Sequence, residues 1–241
     1  MTQSLSGDGS RTVLRMERVL RHPPAKVWRA VTEPARLAEW FPSTVTAEMR
    51  VGGTVEFGFG PPGVVTDLDE PHVFAFTWDQ DHLRWELHPE GDGTRLVLLH
   101  TFTDRAGAAS FAAGWHTCIA ELDLALDGRA VGDPGIDHVA LHERYVAEFG
   151  LDEPVVEGAR ARVERQLTRP AEDVWKALEA DAPAGAVREG DVLEHPGPDG
   201  ARLRWELGEG TGHGARLHLT HDGGDPAVVT AHLRALLARL T

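Results

Sequence analysis

The chain has 241 residues, 41% of them hydrophobic, which is enough for one large or two smaller globular domains and argues against disorder as the default. Its formal charge of −14, with no basic tract, argues against nucleic acid or an anionic membrane surface as a partner. A single cysteine, Cys118, permits no intramolecular disulfide, and no run approaches the ~20 apolar residues of a membrane span, so a cytoplasmic protein without membrane insertion is expected.

Residues 1–11 contain no apolar run and are expected to be disordered. Residues 12–20, TVLRMERVL, read as a strand, and Pro23-Pro24 opens a helix through AKVWRAV. A second short helix starts at Pro34 and ends near Trp40, where Phe41-Pro42 breaks it. About six strands follow. Val55, Phe57 and Phe59 alternate with polar residues or glycine; Phe74, Phe76 and Trp78 share a face; so do Leu83, Trp85 and Leu87. Beyond the turn Glu90-Gly91-Asp92-Gly93, Leu96, Leu98, His100 and Phe102 share a face. Residues 105–127 then form one long helix. Phe111, Trp115, Cys118, Ile119, Leu122 and Leu126 are spaced by four, three, one, three and four, the stripe of a helix with one buried face. Sequential antiparallel strands with helices early and last define an α+β layout.

A helix over residues 136–149 and a linker over 152–161 precede a repetition. MERVLRHPPAKVWRAV (16–31) aligns with VERQLTRPAEDVWKAL (163–178) at an offset of 147, and LRWEL recurs at 83–87 and 203–207, an offset of 120. The strand TRLVLLH has its echo in ARLHLTH, with His100 matching His221. The second copy is therefore the same unit less 147 − 120 = 27 residues, which removes the second short helix and the strand of Val55 to Phe59. It should hold strand, helix, three strands and helix, and be too small to enclose much of a cavity.

PPAKVWRAVTEPARLAEWF, GTRLVLLH and AAGWHTCIAELDLALDG, in that order, together with the trailing HVALHERYVAEFGL, resemble the START-like (SRPBCC) superfamily. Within it they resemble the AHSA-like branch, named after the activator of heat-shock protein 90 ATPase, over residues 12–151. The resemblance implies a helix-grip fold: a curved antiparallel sheet gripping the terminal helix, with a cavity between. Its members bind lipids, hormones or polyketides, catalyse cyclisation or aromatisation, or assist a chaperone, so fold alone does not decide function. Residues 162–241 are expected to be a truncated repeat that covers the first domain or offers a dimer surface.

Trp40, Phe57, Phe59, Phe76, Trp78, Trp85, Phe102, Phe111, Trp115 and Ile119, with His100 as a polar handle, are the candidate lining of that cavity. For any single ring, core packing explains the residue as well. His100 could orient a ligand or move a proton, or be held structurally by a hydrogen bond. Glu17, matched by Glu164, is read as a cross-strand partner of an arginine. His138 and His142 are spaced i, i+4, but Val139 stands where a metalloprotease motif needs Glu, and no third ligand is evident, so no metal is expected. The string from Gly58 to Gly63 matches G-x-G-x-x-G but is followed by Val-Val-Thr rather than a helix, so no dinucleotide cofactor is expected. The expectation is a hydrophobic small molecule held without catalysis. A polyketide cyclase-like enzyme and a chaperone-associated interaction module are the alternatives.

Overall fold

The computed structural model describes every residue except 8, 9, 131, 133, 134, 213 and 241. The chain divides into two compact units, Met1–His138 and Val139–Thr241. Among the described residues no helix is long and apolar enough to cross a membrane.

The first unit holds β1 (Thr2–Gly7), β2 (Thr12–Leu20), α1 (Pro24–Thr32), α2 (Pro34–Leu37), β3 (Val45–Ala47), β4 (Thr54–Phe57), β5 (Gly63–Asp69), β6 (Val73–Trp78), β7 (Asp81–Glu90), β8 (Gly93–Phe102) and α3 (Ala108–Leu126). The strands form one antiparallel sheet in the order β1-β2-β8-β7-β6-β5-β4-β3. This is the expected α+β, helix-grip architecture, a large antiparallel sheet with a long helix. The sheet's inner face is written in the alternation: Leu14, Met16 and Leu20 of β2, Leu83, Trp85 and Leu87 of β7, and Leu96, Leu98 and Phe102 of β8 are each at most 2% exposed. Helix α3 turns Ala108, Ala112, Trp115, Ile119, Leu122 and Leu126 inward, with Phe111 and Cys118 half-buried at the stripe's edge.

The second unit holds α4 (His138–Phe149), which starts at the boundary, then β9 (Val155–Glu157), β10 (Arg160–Gln166), α5 (Ala171–Ala180), β11 (Val187–Glu189), β12 (Val192–Pro196), β13 (Arg202–Glu209), β14 (Ala215–His221) and α6 (Pro226–Leu240). Its sheet runs β11-β12-β13-β14-β10-β9 around a separate core that includes Leu178, Trp205, Leu219 and Leu233. The registers of the two sheets coincide at the repeated residues. His100 lies between Leu14 and Leu83, and His221 between Ala161 and Leu203, which are the positions that the offsets of 147 and 120 connect.

Three expectations are corrected. Residues 2–7 are not disordered: they pair in full register with Thr12–Glu17, because a sheet edge binds backbone and needs little from side chains as polar as TQSLSG. Residues 155–157 of the expected linker form an edge strand on β10 for the same reason. Four strands, not three, separate α5 from α6, since Val187–Glu189 extends the sheet beyond β12.

Candidate functional site

Cross-strand pairing assembles the aromatic interior. Phe76 lies opposite Leu83, Phe74 opposite Trp85, and Trp85 opposite Leu98, so rings from three strands reach the same side of the sheet. The chain after α2 sends in Trp40 and Phe41, and α3 sends in Phe111 and Trp115. Trp40 and Trp115 each meet Trp85 edge-on at 5.6 Å. Phe41 touches Trp40, Trp78 and Trp115, each at 5.5 Å. Phe57 stacks on Trp78 at 4.9 Å with an interplanar angle of 9°, and Phe59 leans on Trp78 at 5.7 Å. These are distances of direct ring contact, so no further ring fits between members of a pair.

The candidate lining therefore splits in two. Trp40, Phe76, Trp85, Phe102, Trp115 and Ile119 are buried. Phe57, Trp78 and Phe111 are half-buried. Phe59 does not face the interior; it is 61% exposed. Strand β4 ends at Phe57, so the alternation that placed Phe59 beside Val55 no longer applies two residues later. The rings thus run from a closed interior out to an open face made by Phe57, Trp78 and Phe59.

His100, 3% exposed, is held on both sides. The Trp115 indole N–H donates to its Nδ1 at 3.1 Å, and its Nε2 lies 2.8 Å from an Asp81 carboxylate oxygen. An indole can only donate and a carboxylate accepts, so Nδ1 accepts and Nε2 carries the hydrogen. Phe102 and Phe111 pack against the ring at 4.8 and 4.7 Å. Both nitrogens are occupied, which leaves neither aimed at a ligand.

Burial pushes the Cys118 thiol up to about 12, with nearby Glu121 adding to the effect, so it is a poor nucleophile. Glu17 meets Arg95, and its counterpart Glu164 meets Arg216 on β14 at 2.7 Å. His142 faces its neighbour Glu143 at 3.3 Å, and among the described residues no group of three or more His, Cys, Asp and Glu is arranged to hold a metal ion.

Two residues of this constellation escape sequence reasoning. Phe41 reads as a helix breaker, yet it is the ring that joins Trp40, Trp78 and Trp115. Asp81 carries no periodic signal. Its only trace is that an acid also precedes the second LRWEL: Asp199, which meets His221 at 3.1 Å as Asp81 meets His100.

An antiparallel sheet gripping a terminal helix over an aromatic interior defines the START-like, helix-grip class. Residues 21–127 match the family described as Activator of Hsp90 ATPase homolog 1-like protein. No curated protein matches the chain. Among solved structures, a conserved protein of unknown function from Enterococcus faecalis, EF2215, has a TM-score of 0.54 at 22% identity, covering 61% of this chain and 89% of that one. CalU16 from Micromonospora echinospora has a TM-score of 0.48 at 19% identity, covering 62% of this chain and 95% of that one.

Proposed function

We propose that the first unit binds a planar, apolar small molecule at the open end of its aromatic interior, without chemical transformation. The observation that carries this is the Phe57–Trp78 stack, with Phe59 leaning on it while 61% exposed. Large aromatic side chains gathered at a surface leave apolar area in water unless something covers it. A flat molecule extending the stack removes that area and leaves the packed rings behind it undisturbed. The non-catalytic part of the reading is supported by His100, whose two nitrogens are engaged by Trp115 and Asp81. The second unit is a shortened copy of the first in this reading, supported by the coincident registers around His100 and His221.

Native mass spectrometry of freshly isolated full-length protein should detect a retained small molecule. Titration with the planar dye Nile red should quench or shift tryptophan emission, and Trp78→Ala should weaken that binding about tenfold or more, equivalent to ~1.4 kcal/mol. A bare mass together with no saturable dye binding would sink the proposal, as would a dye affinity indifferent to Trp78→Ala and Phe59→Ala.

A further inference from the structure

The aromatic side of the first sheet carries one charged residue. Alternation along β7 puts Asp81 on the inner face, in line with Leu83, Trp85 and Leu87, and no other Asp, Glu, Lys or Arg shares the inner face of β6, β7 and β8. Asp81 pairs directly with Trp78 across the two-residue turn of Asp79 and Gln80. Side chains of such a pair project from the same face, with Cβ atoms about 4.5–5.5 Å apart. The carboxylate therefore stands beside Trp78, which is only half-buried where Trp40, Trp85 and Trp115 are buried. The Asp81 side chain is 28% exposed and that of His100, its partner, 4%. The pair thus runs from the closed interior to the open end, with the acid on the outside.

His100 does not neutralise this carboxylate. Its Nδ1 accepts from the Trp115 indole and so carries no hydrogen, which makes the ring that donates to Asp81 at 2.8 Å a neutral one. One Asp81 oxygen takes that hydrogen. The other meets no hydrogen-bond partner, and no Lys or Arg pairs with the group, among the described residues. Arg11 reaches the same turn, but it is exposed and donates to the Gln80 carbonyl at 3.1 Å. Asp79, exposed within the turn, adds a second negative charge.

We infer that the ligand of the aromatic face is a planar organic cation, a protonated or quaternary heteroaromatic ring, which extends the Phe57–Trp78 stack with its charge toward Asp81. This rests on the aromatic site proposed above and specifies what that site takes. Two features select the same chemistry. The faces of Trp and Phe attract a cation through the ring quadrupole, and the unpaired carboxylate places an opposite charge at close range. A neutral ring gains the stacking alone. A planar anion meets the repulsion of Asp81 on top of the chain's formal charge of −14.

The test uses the full-length chain, isotopically labelled, with 10-methylacridinium and acridine as probes in mildly alkaline buffer, where acridine is neutral. The two share one ring system and differ in charge. The Trp78 indole N–H resonance, assigned by its loss in Trp78→Phe, is followed by NMR. Both probes should move it saturably, the cation binding about three- to tenfold more tightly at low salt, with the gap narrowing in about 1 M salt. Asp81→Asn keeps an oxygen to accept from His100 and should bring the two affinities within about twofold of each other. Asp92→Asn removes the same charge from the turn at the far end of β7 and should leave the preference intact. If neither probe moves the resonance saturably, the aromatic site itself fails. Saturable binding with equal affinities, a preference that salt does not change, one that survives Asp81→Asn, or one lost equally in Asp92→Asn would overturn the cation alone.

Discussion

Trp115 and His100 are coupled through a bond that neither can replace from solvent, since both are nearly buried. Trp115→Phe keeps a ring against Trp85 and Phe41 but strands Nδ1 of His100. Chemical denaturation should register a loss of about 1–3 kcal/mol. Adding His100→Leu should recover part of it, because removing both partners eliminates the orphaned acceptor; strictly additive losses would contradict the coupling. In the second unit Arg165, 1% exposed, bonds Glu143 while its Nε has no partner among the described residues. Burial raises the Glu143 pKa, but the His142 hydrogen bond and the Arg165 charge outweigh it and hold the carboxyl below its ordinary 4.5. A depressed carboxylate stabilises the fold above its unfolded pKa, and that contribution disappears as pH falls through the folded value. Glu143→Gln should therefore cost about 1–3 kcal/mol near neutral pH, and its gap from the wild type should close below about pH 4.5. A gap independent of pH would argue against the ion pair.

At the scale of elements, β1 shields the outer edge of β2 through backbone pairing from Thr2↔Glu17 to Gly7↔Thr12. Deleting residues 2–7 should leave the sheet folded by circular dichroism but expose a row of free N–H and C=O groups. Light scattering after size exclusion should then detect self-association that the full chain lacks at the same concentration. An unchanged mass would mean that β1 protects nothing. This strand was not legible because its side chains contribute almost no pattern, whereas β8 was, since Leu96, Leu98, His100 and Phe102 all face one way. Phe59 was misplaced by the opposite fault: a real alternation was carried beyond the residue where the strand stops.

For the whole molecule, each unit closes its own core, and the second core is built entirely from residues of the second unit. Calorimetry should resolve two transitions. Leu233→Ala, at a site 2% exposed on α6, should lower only one of them, at a cost of about 2–5 kcal/mol. A single transition that shifts as a whole would mean that the units fold as one cooperative body. The chain's own letters set the helix stripes, the strand faces, the matching of His100 with His221, and the resemblance to the family, because backbone periodicity and recurring strings are regular marks in sequence. Which rings touch, which nitrogen of each histidine is occupied, and where a hollow remains were decided only by the folded chain. Phe41 and Trp115 meet although they lie 115 − 41 = 74 positions apart, and no local pattern encodes such a distance. Whether a gap is filled depends on side-chain volumes arriving from several elements at once.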